Sequence, residues 1–371
     1  MIKRIVAVFL IIATCYACSE SDDSGPNSQD EFDRSAMLIN WADNIIVPAY
    51  TSLEVENSAL VSATATFTNS PNEQNLQTLR TSWLNAYSAF QHVSMFEIGL
   101  AEQLRFRDRM NTYPANVSEI EGFIANGTYD FSLPSTNDAQ GFPALDYMLY
   151  GLGSNTSEVL SFYVSNPDAS KYLDYLNDLV NSIDTLTSEV LTNWETGFRN
   201  DFVANDGSSA SASVDKLTND YILYYEKALR AGKIGIPAGV FSNDPLPTHV
   251  EALYAQEVSK ELALEALAAT KGFFLGKHHN TNQQGPSFKA YLDFLNTIKN
   301  GEDLSSLIVE QFNAANAEMS SLNPNFAVQI QSNNSAMLQT YDALQRNVIL
   351  LKVDMLQALS IDVDFVDTDG D

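Results

Sequence analysis

Cysteine is almost absent from this 371-residue chain: Cys15 and Cys18 are its only two, both in the first eighteen residues. A body without thiols excludes a disulfide framework, a cysteine-ligated zinc and a cysteine nucleophile. Basic residues are also few, 20 Lys and Arg against 47 Asp and Glu, for a formal charge of −27. Such a field repels phosphate backbones, so nucleic acid is excluded as a natural partner. With four histidines there is no His-Glu-x-x-His zinc motif, and neither a Gly-x-Ser-x-Gly elbow nor a phosphate loop occurs. Beyond the N-terminus no apolar run reaches the roughly 20 residues that span a bilayer.

The start of the chain is organised differently. Met1-Ile-Lys-Arg4 is followed by the short apolar run Ile5–Thr14 and then Cys15-Tyr-Ala-Cys18. A positive region, a short apolar run and a small residue before a cysteine have the layout of a lipoprotein export signal. The expected outcome is removal of residues 1–17 and lipidation of Cys18, although Cys15 stands where such signals usually carry Leu; Cys15 itself, preceded by Ile12-Ala13-Thr14, is the second choice. Loss of Lys3 and Arg4 takes the formal charge from −27 to −29. Residues 18–30 contain Ser19-Glu-Ser-Asp-Asp-Ser-Gly-Pro-Asn-Ser28, with nothing apolar to bury, and read as a disordered acidic tether. The expected location is the cell envelope, as an outer-membrane lipoprotein held by Cys18; the acidic stretch resembles those that direct some lipoproteins to the outer face, and both the periplasmic and the surface face stay open. An ordinary cleaved leader before a secreted protein is the alternative.

Apolar residues make up 45% of the chain, enough for a core, and their spacing is helical. Leu76, Leu79, Trp83, Ala86, Phe90, Val93 and Glu97 alternate steps of three and four and share one helix face. Pro71 and Asn72 start that helix, and Gly99 follows its end. Similar stripes run from Tyr172 to Trp194 and from Met337 to Met355, and residues 248–275 also read as helix. Shorter helices fit 33–47, 54–67, 156–165, 214–231, 285–299 and 303–320. The expected class is all-α. Asn205–Ser213, all small or polar, divides the globular part into residues 31–204 and 214–371, each with enough helices for a four-helix bundle. The long irregular stretch Thr112–Gly141 is of a kind that is often functional.

Several residues stand out chemically. Glu97 continues an apolar stripe where Leu would be expected, so it either has buried partners or marks the solvated end of the helix. Gly141-Phe-Pro143-Ala-Leu-Asp146-Tyr-Met-Leu-Tyr-Gly151 reads as a short capped helix with Pro143 and Asp146 on one face. Arg230 and Lys233 lie in a Gly/Pro-rich helix end, Arg230–Gly239. They suit a helix C-terminus, or an ion pair with Glu97 or Asp146. His278-His279 reads as an exposed loop pair, His92 as a half-buried neighbour of the Glu97 helix, and His249 as a residue near a helix start with Glu251 beside it. Asp362–Asp371 reads as a solvated acidic tail with a fragment of a calcium-loop pattern.

The stretches Trp83–Gln91 with Phe96–Gly99, Gly141–Gly151, Lys233–Gly239, and Leu351–Asp354 with Asp367–Asp371 resemble the imelysin-like family, peptidase family M75, over about residues 31–371. The resemblance implies two helical bundle-like domains in an exported, envelope-bound protein, often linked to iron acquisition. The family signature is Gly-x-His-x-x-Glu. Gly141 matches its glycine, Pro143 stands at the histidine and Asp146 at the glutamate. Proline offers no ligand atom, so the chain departs from the signature where a metal-activated water would be made. The expectation is a binding protein for iron, haem or another ligand rather than an enzyme. Its candidate binding residues are Glu97, Gly141, Pro143, Asp146, Arg230 and Lys233, with Asp146 and Glu97 as candidate ligands for iron or another divalent metal. A metallopeptidase and an interaction module without a small ligand are the alternatives.

Overall fold

A computed structural model describes residues 32–365. The expected leader, the lipid site at Cys18, the tether and Asp367–Asp371 lie outside the described residues. Apart from one two-residue hairpin, Ile298–Lys299 with Glu302–Asp303, the regular structure among the described residues is helical.

The first half is organised by α1 (Val47–Asn69), α2 (Glu73–Phe90) and α4 (Ala169–Asn193), with α1 packed against both others. Asn72 caps α2, its side chain accepting the Asn75 N–H at 3.0 Å, as the Pro-Asn start signal predicts. The stripe of α2 is inside: Leu76, Leu79, Trp83, Ala86 and Phe90 are fully buried. The stripe of α4, from Tyr172 through Leu176, Leu179, Ile183, Leu186 and Val190, is buried as its spacing requires. Between α2 and α4 lies the short helix α3 (Gly141–Asp146), buried along its whole length.

The second half begins with α5 (Ser213–Leu223), which runs straight into a π-helical stretch, Tyr224–Gly235. There α6 (Ser259–Phe274) packs on α7 (Leu304–Ser321), and α7 packs on α8 (Phe326–Ile349). From Arg34 onward the chain is one compact unit. Helices α2 and α6 meet across the halves, so the seam between them is a packed interior. No helix among the described residues is long and apolar enough to cross a membrane.

Three predicted helices are shorter than their periodicity suggests, among them 285–299, where only Phe288–Phe294 is helical and Ile298–Lys299 is a strand. Helix α2 ends at Phe90 and the chain turns through residues 91–95. Val93, Met95, Phe96 and Ile98 are all buried, and one helical face could not enclose so dense a run. Glu97 is therefore not on the helix at all. The third is 248–275, where only Ser259–Phe274 is helical. Ala252 and Gln256 take left-handed backbone conformations, at φ 54° and 65°. The backbone N–H groups of Tyr254 and Ala255 point to a side chain in the other half.

Candidate functional site

The site is built on α3. Gly141 begins it at φ +72°, and a Cβ there would collide with the carbonyl oxygen of Met110. Only glycine permits that approach. Phe142 then stacks on Tyr87, with ring centroids 4.6 Å apart and planes at 8°, and its carbonyl accepts the Trp83 indole N–H at 3.2 Å. Pro143 is buried and offers no side-chain ligand atom.

Asp146, 2% exposed, reaches across the seam. One carboxylate oxygen accepts the N–H of Tyr254 and the other that of Ala255, both at 2.8 Å. Burial pushes the Asp146 carboxyl up to about 7, against the pull of those two N–H groups, and nearby Glu251 adds to the rise.

Next to it lies a second buried carboxylate. Glu251 forms an ion pair with Lys233, and the two side chains are 2% and 3% exposed. The other oxygen of Glu251 accepts Asn111 Nδ2 at 2.8 Å and Gln91 Nε2 at 3.4 Å. Tyr87 in turn donates its hydroxyl to Asn111 Oδ1. Burial lowers the Lys233 pKa, and Glu251 opposes that shift. Lys233 is legible in the sequence as a candidate. Glu251, Asn111, Gln91 and Tyr87 are not, because their partners lie far away in the chain and no short motif marks them. The nearest signal is that Glu251 lies beside His249.

Glu97 belongs to a separate network. Its Oε2 accepts the backbone N–H of Arg107 at 2.9 Å and lies 3.9 Å from that guanidinium. Arg107 also binds Asp220 at 2.7 Å, and Asp220 accepts the Glu97 N–H at 2.5 Å. With its side chain 17% exposed, Glu97 is not the solvated end of a helix. Burial raises its carboxyl to about 7, Arg107 pulling against that and Asp220 adding to it.

Arg230 forms a third cluster. It lies 3.6 Å from the fully buried Glu226 and donates to Tyr341 Oη at 3.0 Å. Both Arg230 and Lys233 fall in the π-helical stretch, whose wider turn brings Glu226, Arg230 and Lys233 inside together.

A cavity of about 420 Å³ touches two of these networks, with Arg107, Asn111, Tyr113, Tyr224, Lys233 and His249 among its walls. It thus meets Glu97 through Arg107 and Glu251 through Asn111 and Lys233. Asp146 and Glu97 themselves are held apart: each carboxylate accepts backbone N–H groups in its own network, and no hydrogen bond or ion pair among the described residues joins them. Nor is any group of three or more His, Cys, Asp or Glu there arranged to hold a metal ion. The structure thus holds the two expected metal ligands, Asp146 and Glu97, in separate networks. With proline at the signature histidine as well, the residues present do not fit the metal implied by the signature.

The remaining histidines lie elsewhere. His92 meets Glu265 at 3.2 Å, and its ring stands edge-on to His279, with centroids 5.3 Å apart. His279 is less exposed than a loop pair predicts: Nε2 lies 2.9 Å from Ser52 Oγ, and its backbone N–H donates to the Asn44 carbonyl. Burial, then the neighbouring His92, lowers its pKa to about 4.

The described residues are almost entirely helical and, from Arg34 onward, one compact unit, with the buried Asp146 at the end of a glycine-led helix. The model of the imelysin family, peptidase M75, matches residues 46–351, and the chain belongs to that family. Among solved structures, a putative iron-regulated protein A precursor from Parabacteroides distasonis superposes with a TM-score of 0.71 at 18% identity, covering 87% of this chain and 94% of that one. An imelysin-like protein from Psychrobacter arcticum gives a TM-score of 0.69 at 16% identity, covering 90% and 97%. At these identities the likeness is one of fold. No curated protein matches the chain in sequence.

Proposed function

We propose that this is an envelope-anchored binding lipoprotein serving iron or haem acquisition, and that it is not a peptidase. The observation that carries this reading is the state of Asp146. Both of its oxygens close the seam on backbone N–H groups, beside a proline where the family signature has histidine. A metallopeptidase needs an open metal position that makes a hydroxide, and this arrangement offers none. The cavity walled by Arg107, Asn111 and Lys233, where polar groups converge, has the character of a ligand site. The link to iron is supported by family membership and by the likeness to the Parabacteroides neighbour, which is described as iron-regulated. The anchor rests on the sequence around Cys18.

Metal analysis of the purified mature protein, calorimetry with Fe²⁺, Fe³⁺, Zn²⁺ and haem, and a peptide-cleavage assay test this reading together. Binding of an iron species or haem without cleavage is the expected result. Tight metal binding with peptide cleavage would overturn it in favour of the peptidase. No binding of any of these would leave an interaction module and overturn the acquisition role.

A further inference from the structure

The cavity of about 420 Å³ is walled in part by hydrogen-bonding groups that the protein itself does not use. The clearest is Tyr224. The residue is 2% exposed and the Arg107 guanidinium lies 5.4 Å from its ring centroid, yet its hydroxyl has no hydrogen-bond partner. Ser94 lies near enough to influence the phenol but does not complete a hydrogen bond with it. Ser94 Oγ donates instead to the Gln91 carbonyl, at 3.4 Å. Leaving a buried hydroxyl without a partner is costly, and such a group calls for an explanation.

Two more groups on the same walls are in the same state. Tyr113 Oη lies 3.3 Å from the place a Cβ on Gly232 would take, and it makes no hydrogen bond among the described residues. Arg107 spends Nε on the Ser94 carbonyl and Nη2 on Asp220, at 2.6 and 2.7 Å, while Nη1 donates to no acceptor among the described residues. Burial holds both phenols above their ordinary value, so at neutral pH each keeps its proton and is a donor. The carboxylate among the walls, Asp108, is already taken by Arg105, whose Nε and Nη2 lie 3.2 and 2.6 Å away.

Donors on one enclosed space without acceptors call for oxygen atoms brought from outside. A bare metal ion brings none; it takes lone pairs from its site, and here the wall carboxylate is engaged. Phe90, Leu223 and Ile236 complete the walls with apolar surface, and Ile236 is shared with an outer hollow of about 870 Å³. Apolar walls with a few placed polar groups are the usual lining for an organic molecule.

We propose that Tyr113 and Tyr224 are ligand-binding residues whose hydroxyls, together with Arg107 Nη1, donate to the carboxylate or carbonyl oxygens of an organic ligand in this cavity. Any iron the protein takes here then arrives inside a molecule with such oxygens, a porphyrin or a hydroxycarboxylate chelate, and not as a bare ion. This rests on the reading of the protein as a binding protein for iron or haem and names the form of the ligand.

The test uses the full chain carrying Cys18→Ala, so that no detergent is needed, and calorimetry with haem, ferric citrate, iron-free citrate and Fe²⁺. Haem or ferric citrate is expected to bind at one site, more tightly than Fe²⁺. Tyr224→Phe and Tyr113→Phe each remove a hydroxyl and keep the ring, and each is expected to weaken that binding about tenfold. Tyr224→Phe is also expected to melt at or above the parent temperature, because no protein hydrogen bond is lost. A lower melting temperature would show a structural role for that hydroxyl and overturn its assignment. Binding that neither variant weakens would overturn the inference. So would Fe²⁺ as the tightest probe with equal affinity in parent and variants, and that result would leave the proposed function standing. Iron-free citrate bound with the same dependence on both tyrosines, with haem, ferric citrate and Fe²⁺ all unbound, would support the hydroxyl donors and overturn the role in iron acquisition. No binding of any probe would overturn both.

Discussion

The carboxylate of Asp146 accepts the backbone N–H of Tyr254 at 2.8 Å across 108 residues of chain. The neighbouring N–H, of Ala255, goes to its other oxygen. A side chain in the first half thus terminates the backbone of the second, and the turn that carries Tyr254 depends on a residue it is far from in sequence.

Asp146→Ala leaves both N–H groups buried without acceptors. Each costs about 1–3 kcal/mol when unsatisfied, so a loss of about 3 kcal/mol is expected in urea unfolding. Hydrogen exchange at Tyr254 and Ala255 is expected to accelerate more than that of the α1 and α2 core. Unchanged protection at these two amides would show that the bonds do not hold the turn.

Stability should carry a pH signature from the raised carboxyls. Asp146 and Glu97 move from 3.8 and 4.5 up to about 7. The folded state therefore binds more protons than the unfolded state between those values. The stability they contribute is complete below about pH 4 and is lost as pH rises through about 7. Asp146→Asn and Glu97→Gln are each expected to flatten the stability curve between pH 5 and 8 relative to the parent protein. Identical slopes in denaturant titrations of parent and variants would rule the two groups out as its source.

Lys233→Met removes the partner of a carboxylate that is 2% exposed. Breaking a buried pair from one side costs about 3–5 kcal/mol. Adding Glu251→Gln removes the stranded charge and keeps an acceptor for Asn111. The double variant is expected to recover most of the loss. If it is no more stable than the single variant, the contribution of Lys233 is packing rather than charge.

Cys18→Ala is expected to abolish incorporation of labelled fatty acid and to release the protein from the membrane fraction. Retained labelling would move the lipid site to Cys15, and a protein that is released without ever being labelled in the parent form would be a secreted one.

What is legible in the sequence follows local rules. The stripes of α2 and α4, the Asn72 cap and the all-helical class depend on residues within a few turns of each other, and the helix period records them directly. So does the glycine-led turn at Gly141, although its cause, the nearby Met110 carbonyl, is not local. The end of α2 is not legible, because Glu97 happens to lie on the helical phase, while the density of Val93, Met95, Phe96 and Ile98 decides the matter in three dimensions.

By itself the sequence determined the helical class, the lack of thiols beyond Cys18 and the loss of the signature histidine at Pro143. The first two are statements about composition and short-range spacing, and the third follows from the resemblance to the family signature; no folding is needed to make them. Only the tertiary structure decided what the buried charges do. Lys233 pairs with Glu251, Arg107 with Asp220 and Glu97, and Asp146 with two amides. A buried charge takes whichever partner the packing brings within hydrogen-bonding reach. Between Arg107 and Asp220, or Asp146 and Tyr254, that partner is more than a hundred residues away.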